Sequence, residues 1–382
     1  MQRQETEQTT NVSIITPCRN EEKFIGKCLD SIIKNVFPKE KMEVLVIDGK
    51  STDRTRGIVE GYAKEHSFIK LMDNPGIVQT FATNIGIRAS QGDIIMRMDA
   101  HAQYPKDYIS KLIYWLENGK ADCVGGLWIT RPGDKSSVAE TIALALSHRF
   151  GVGNAHYRIG IKEPKNVDTV PYGCYRKEVF DKVGLFNENL NRTDDIEFNL
   201  RLKRAGGKIL LVPEIFSYYY ARSNLADLAK QNFGNGFWVL YSLRFVKLPF
   251  SLRHLVPFFF VSSLLGSLVI SFLYQPFIYL FAFILGLYFF IDVLVSCKLS
   301  LKHGIRYFPF LVITFLTLHI SYGLGSLWGI VKLFLHRRIS ESQKSEVRGS
   351  GFRSQESEDQ SLSNRNQRDG GQGPVGQHES RN

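Results

Sequence analysis

Cysteine is the first scarcity. Five occur in 382 residues, Cys18, Cys28, Cys123, Cys174 and Cys297, with no paired spacing. That excludes a disulfide framework and a cysteine-built zinc site, and it fits a reducing compartment. Two glycine signatures are also missing. No Gly-x-Gly-x-x-Gly follows the first apolar run and no Gly-x-x-x-x-Gly-Lys-Ser/Thr occurs anywhere, which sets aside dinucleotide-dependent dehydrogenases and P-loop nucleotide hydrolases. Residues 1–10 lack the apolar core of a signal peptide. Residues 336–382 hold too few apolar groups to fold and are expected to be a disordered tail. Acids are outnumbered: 37 Asp and Glu against 48 Lys and Arg leave a net charge of +11, suited to anionic lipid, nucleotide phosphate or nucleic acid.

What is present divides near residue 245. Beyond it, apolar residues crowd into three stretches, 252–274, 276–297 and 307–335, each long enough to cross a bilayer. Before it, short apolar runs alternate with amphipathic ones. Strands are expected at 12–16, 42–47, 69–72, 94–98, 123–130, 172–175 and 209–213. Helices are expected at 21–34, 54–65, 79–89, 105–118, 138–150, 177–183 and 194–205, with Asn20 and Thr193 as caps. Such alternation means βαβ units and a mostly parallel sheet, with the strand at 172–175 at its far side. Right-handed crossovers then gather the strands' C-terminal ends on one edge. The expected organisation is a disordered 1–10, an α/β domain over 11–224, an interfacial helical segment at 225–250, three transmembrane helices within 251–335, and the tail.

Acids stand at that edge. The run 94–98 stops in Asp99-Ala100-His101, and the run 42–47 stops in Asp48. A carboxylate there can hold a divalent cation, and the cation a diphosphate. Asp194 and Asp195 open the helix 194–205. Each has an ordinary explanation as well. Asp commonly follows a strand, and acids in a first helical turn are favoured by the dipole. The Gly125-Gly126 pair permits close backbone approach, and 151–168 reads as a loop able to cover a site. The aromatic and basic segment 225–247 suits a membrane interface, although an ordinary core helix has the same pattern.

Five segments, in order, carry a resemblance. They are Thr16-Pro17-Cys18-Arg19-Asn20-Glu21-Glu22, Val46-Ile47-Asp48-Gly49-Lys50-Ser51-Thr52-Asp53, Ala82-Thr83-Asn84-Ile85-Gly86, Asp99-Ala100-His101 and Thr193-Asp194-Asp195-Ile196-Glu197. Together they resemble the family-2 inverting glycosyltransferases with the GT-A fold, a Rossmann-like nucleotide-sugar-binding domain. Asp-Ala-His and the segment His319-Ile320-Ser321-Tyr322-Gly323-Leu324-Gly325 are similar to the succinoglycan-type exopolysaccharide glucosyltransferases.

The resemblance implies roles. Thr16, Pro17, Glu22 and Asn84 would line the nucleotide pocket, and Asp48 would accept from the base ring's N–H. Asp99 and His101 would hold Mn2+ or Mg2+. Asp195 would be the catalytic base, with Asp194 its acidic neighbour. His101 stands where the family more often has Asp, and imidazole suits Mn2+ better than Mg2+. The Gln-x-x-Arg-Trp motif of polymerising members is missing, with Gln231-Asn232-Phe233-Gly234-Asn235 roughly in its place, which implies addition of one sugar. The expected partners are a nucleotide-sugar donor, a lipid-linked saccharide acceptor and the membrane. Other polysaccharide-assembly enzymes are admitted, and nucleic acid is not. Two rivals stand beside this reading: a polyprenyl-phosphate sugar synthase, and a non-catalytic membrane scaffold with a degenerate nucleotide-binding domain. The expected location is the plasma membrane, multi-pass, with the catalytic domain cytoplasmic.

Overall fold

The computed structural model describes residues 11–246 and 252–335. The disordered segments expected at 1–10 and 336–382, and the end of the interfacial segment at 247–250, lie outside the described residues. Residues up to Ile330 form one compact unit; of the second, only the last helical residues, 331–335, are described.

Strand β1 (Val12–Cys18) leads through α1 (Ile25–Ile33) to β2 (Met42–Asp48), then α2 (Thr55–Glu65), β3 (Ile69–Asp73), α3 (Gln79–Ala89) and β4 (Ile94–Arg97). A two-residue β5 (Ala102–Gln103), α4 (Tyr108–Asn118) and the long β6 (Cys123–Arg131) follow. Three helices, α5 (Ser137–Leu146), α6 (Arg149–Val152) and α7 (His156–Ile159), cross to β7 (Lys165–Asn166) and β8 (Cys174–Arg176). Then come α8 (Glu178–Val183), α9 (Asp194–Arg204), β9 (Ile209–Tyr220) and α10 (Leu225–Tyr241). Three apolar helices close the described chain: α11 (Val256–Ser271), α12 (Phe277–His303) and α13, residues 308–335.

The sheet runs β3-β2-β1-β4-β8-β6-β9-β5, with β7 on β9. Its first four strands are parallel. The inner three, β2, β1 and β4, are almost wholly buried on both faces, as strands covered on both sides are. The period of two sorts them: Ile14, Val44 and Val46 face α1, α2 and α4, while Ile15, Leu45 and Ile47 face α3, α8 and α9. Gly86 of α3 lies against Ile15, where a Cβ would sit 2.6 Å from that side chain.

Several expectations needed correction. The strand expected at the sheet's far side is β8, which lies centrally, antiparallel to β4 and β6. Its few residues carry no signal of direction. β9 extends to Tyr220, seven residues past its expected end at 213, because Phe216–Tyr220 pair with Leu127–Arg131 after a register shift at Gly126/Leu127. The glycines there are required: a Cβ on Gly126 would meet the Ile215 carbonyl at 2.4 Å. The expected helix 138–150 breaks at Ser147, and His148 Nδ1 accepts from Phe150 N. Neither proposed cap works as such. Asn20 accepts from Thr52 N instead, and Thr193, at φ +64°, donates its hydroxyl to the Arg192 carbonyl.

The three C-terminal helices, Arg253–Ser271, Phe277–His303 and Ile305–Leu335, are long and apolar enough to cross a membrane. α13 is unbroken, and its glycines serve packing. Gly323 approaches the Pro257 carbonyl on α11, and Gly325 the Phe233 carbonyl on α10, at 2.5 and 2.0 Å from where a Cβ would stand. Ser326 donates to the Gly236 carbonyl at 3.2 Å. The described part of the interfacial segment is therefore a helix packed on the third apolar helix.

Candidate active site

Parallel strands place the ends of β2, β1 and β4 side by side, and the loops after β1 and β2 are zipped together. Gly49 N donates to the Cys18 carbonyl at 2.9 Å, Thr52 N to Asn20 Oδ1 at 2.8 Å and Glu22 N to Asp53 Oδ2 at 3.2 Å. Gly49 permits this closeness, since a Cβ would stand 2.9 Å from the Ile77 carbonyl. Asp48 is buried at the floor and accepts from Ser51 Oγ at 2.5 Å, with the Arg56 guanidinium at 3.6 Å. Glu22 is drawn into the zipper by Arg54 at 3.3 Å. Thr16 and Pro17 are buried in β1, and the Thr16 hydroxyl has no partner.

Asn84 is otherwise employed. Its amide donates to the Phe186 carbonyl and to Glu188 Oε1, and its oxygen accepts from Phe186 N at 3.0 Å. These contacts pin the 186–188 turn to α3 and occupy both donors of the amide.

From the zipper a chain of polar contacts runs to α9. Glu21 Oε1 lies 3.4 Å from His101 Nδ1. Asp99, 9% exposed, takes Arg97 Nε at 2.9 Å, and the same guanidinium reaches Asp194 Oδ2, also at 2.9 Å. Gln79 Nε2 lies 3.5 Å from both Asp99 oxygens. Arg97 is the residue that sequence reasoning missed. The signal was available: a charge at the end of a buried apolar strand must find counter-charges. Asp99, Asp195, Arg97, Trp128 and Tyr172 line one cavity.

Electrostatics divides these groups. Burial works against the Arg97 guanidinium, but Asp99 and Asp194 outweigh it and hold its pKa well above the usual value. Burial would raise the Asp99 carboxyl, yet Arg97 and His101 bring it below its ordinary range. For His101, burial lowers the pKa, while the Glu21 hydrogen bond and Asp99 more than compensate. Asp195 goes the other way. Burial first, then the Asp194 charge, push its carboxyl to about 6. Neighbouring acids thus differ in environment: Asp194 is bound to Arg97, and Asp195 has its proton affinity raised.

Among the described residues no group of three or more His, Cys, Asp or Glu side chains is placed to hold a metal. Asp99 and His101 offer two donors, and Asp99 keeps lone pairs beyond those Arg97 takes. Two donors suit a cation whose other ligands are phosphate oxygens and water.

The comparisons with known proteins agree with this architecture. Residues 13–184 match the family model "Glycosyl transferase family 2". The chain is 34% identical over 282 residues, 72% of its length and 85% of the relative's, to the dolichyl N-acetyl-alpha-D-glucosaminyl phosphate 3-beta-D-2,3-diacetamido-2,3-dideoxy-beta-D-glucuronosyltransferase of Methanococcus voltae. It is 29% identical to the succinoglycan biosynthesis protein ExoA of Rhizobium meliloti, over 60% of this chain and 68% of that one. In fold it is similar to a Pyrobaculum calidifontis mannosyltransferase solved with GDP-Man and Mn2+, at a TM-score of 0.55 and 19% identity over 84% of this chain and 87% of that one.

Proposed function

Because the chain belongs to glycosyl transferase family 2, we propose that it moves one sugar, with inversion, from a nucleoside diphosphate sugar to a hydroxyl of a lipid-linked saccharide at a membrane surface. The observation that carries this reading is the single cavity in which Asp99, bridged by Arg97 to Asp194, meets Asp195 with a pKa of about 6. Asp195 would take the proton of the acceptor hydroxyl as it attacks the anomeric carbon. Asp48 and the zipped loops would hold the base, uracil being the first candidate. Arg97 would hold Asp99 and Asp194 in place and keep Asp99 ionised. Asp99 and His101 are the side chains that would hold a divalent cation, which when bound would neutralise charge on the diphosphate. The lipid-linked acceptor is supported by the dolichyl phosphate named for the Methanococcus relative and by the three apolar helices.

The direct test incubates the full-length protein in native membranes with radiolabelled nucleotide sugars. Label appearing in the lipid extract on a saccharide hydroxyl is expected; label on a polyprenyl phosphate alone would replace this reading with a polyprenyl-phosphate sugar synthase. Chelation should abolish transfer, and Mn2+ should restore it better than Mg2+. His101→Asp should move the preference toward Mg2+, because a carboxylate is a harder ligand than imidazole. An unchanged preference would remove His101 from the cation's ligands.

Nucleotide sugars are cytosolic, so the catalytic domain should face the cytosol. Lys298, Lys302 and Arg306 then fit the positive-inside rule, and Arg306 lies 3.7 Å from Glu140 of α5. A third crossing by α13 would put the tail outside, against the pull of Arg337 and Arg338. A cysteine replacing Ser361, which lies outside the described residues, should react with an impermeant maleimide in intact cells. Reaction only after lysis would mean that α13 does not cross.

A further inference from the structure

Residues 149–173 serve the active-site cavity twice. Val170, Pro171, Tyr172 and Gly173 line it directly. Tyr157 and Arg158 of α7 support Trp128, another lining residue. The Tyr157 ring meets the indole nearly at a right angle, 5.2 Å away, and Arg158 Cζ lies 4.5 Å from the indole's centre. Yet the segment is mostly loop. α6 and α7 have four residues each and β7 has two. Elements so short do not fix their own position.

Two ties to the apolar helices fix it. The first is Phe150, whose ring lies 4.9 Å from that of His319, 5.0 Å from Phe315 and 6.1 Å from Tyr288, in the seam between α12 and α13. The Phe150 carbonyl lies 2.8 Å from His319 Nε2, and the Tyr288 hydroxyl 3.0 Å from His319 Nδ1. A carbonyl only accepts, so Nε2 carries the hydrogen and Nδ1 accepts from Tyr288. The second tie is Arg253, in the turn ahead of α11. Its Nη1 lies 3.0 Å from Asp168 Oδ2 and 3.3 Å from the Asn154 carbonyl. The rotation of α12 supports the first tie. The residues that α12 buries are Tyr288, Asp292, Ser296 and Ser300, each one helical turn from the next. In a membrane a polar stripe must face protein, because lipid offers it no partner. Tyr288 is thereby held against His319.

We propose that Arg253 and His319 are positioning residues for sugar transfer: from the membrane helices they set the cavity wall at 170–173 and the support of Trp128, so that the active site is complete only with those helices docked. This rests on the glycosyltransferase reading above and concerns how its cavity keeps its shape. Neither residue lines the cavity, and neither makes or breaks a bond. The nucleotide loops after β1 and β2 are held by contacts of their own, so nucleotide affinity should not depend on either tie.

The test compares full-length variants in native membranes. His319→Phe keeps a ring against Phe150 and removes both hydrogen bonds, whereas His319→Gln keeps a donor and an acceptor. Arg253→Asp breaks the second tie, and adding Asp168→Arg restores an ion pair with the charges exchanged. The saturated rate of label transfer from a radiolabelled nucleotide sugar to lipid should fall about ten- to hundredfold in His319→Phe and in Arg253→Asp, the scale of a misplaced site. The half-saturating donor concentration, and the affinity for UDP and GDP with Mn2+, should stay within about twofold of wild type. His319→Gln and the exchanged pair should each recover most of the lost rate. Amide hydrogen exchange over 149–173 should quicken in the two impaired variants and stay unchanged over 46–55. Wild-type rates in both impaired variants overturn the proposal. So does a loss confined to the half-saturating donor concentration, or one that neither His319→Gln nor the exchanged pair reverses. If an impaired variant fails to accumulate, its rescue variant decides: accumulation regained without rate means that the ties serve folding alone, which also overturns the proposal. If no donor supports transfer, unchanged exchange over 149–173 overturns it and quickened exchange upholds it. Wild-type protein that binds neither UDP nor GDP would bring down the glycosyltransferase reading instead.

Discussion

Asp195→Asn is expected to abolish sugar transfer and leave donor affinity nearly unchanged. The substitution keeps the shape and removes the proton acceptor, so the loss should fall on kcat, by about 10²- to 10⁴-fold. The wild-type rate should rise with pH through an apparent pKa near the value of about 6 to which burial and Asp194 push this carboxyl. Stability should move oppositely. A carboxyl raised from 3.8 to about 6 by folding contributes stability that is fully present below pH 3.8 and is lost as pH rises through 6. Above that point the ionised, half-buried Asp195 costs the wild type on the order of 1–3 kcal/mol. Asn carries no such penalty. Asp195→Asn should therefore melt higher than wild type at pH 7–8, with the gain shrinking as pH falls from 6 toward 4. Near-normal turnover in this variant would hand the base role to another group, Asp194 first. A melting temperature unchanged at every pH would mean that Asp195 is not desolvated.

Arg97→Met should be the most destabilising single change near the site. It removes one cation from two carboxylates that are each under a tenth exposed. Breaking a buried pair costs about 3–5 kcal/mol, because the partner charge is left uncompensated; that is on the order of 10 °C in Tm for a domain of this size. Arg97 holds Asp99 below its usual range against burial. Without it, only His101 and Gln79 oppose burial and Asp99 titrates higher, so the variant's deficit should shrink as pH falls. Arg97→Lys should recover stability only in part, since an ammonium lacks the planar fork that reaches Asp99 and Asp194 together. Thermal unfolding across pH 4–8 checks both. If Arg97→Met melts with wild type at pH 7, the bridge contributes nothing and some other contact holds Asp99 and Asp194.

The early βαβ units were legible because their signals are local. Met42–Asp48 and Gln79–Ala89 read correctly from a buried run and from an amphipathic period bounded by turn residues. The strand β8 read poorly. Its β-structure is short, its neighbours are distant in sequence, and its antiparallel direction is decided by which edges β4 and β6 leave open. Periodicity does not encode that.

The sequence by itself determined that a nucleotide-type α/β domain precedes three apolar helices, and that acids stand where parallel strands end. Strand order and chirality then require Asp48 and Asp99 to share an edge, because both follow from local composition and the handedness of crossovers. Only the tertiary structure decided what each polar group does. Asn84 became a clamp because its turn folded onto α3. Arg97 became the bridge because α9 brought Asp194 within 2.9 Å across 97 positions. Asp195, beside Asp194 in sequence, became the basic carboxylate because the guanidinium bonds to Asp194 and burial remains the largest influence on Asp195. A pKa is set by desolvation and by charges within a few ångströms, and those distances exist only once the chain has folded.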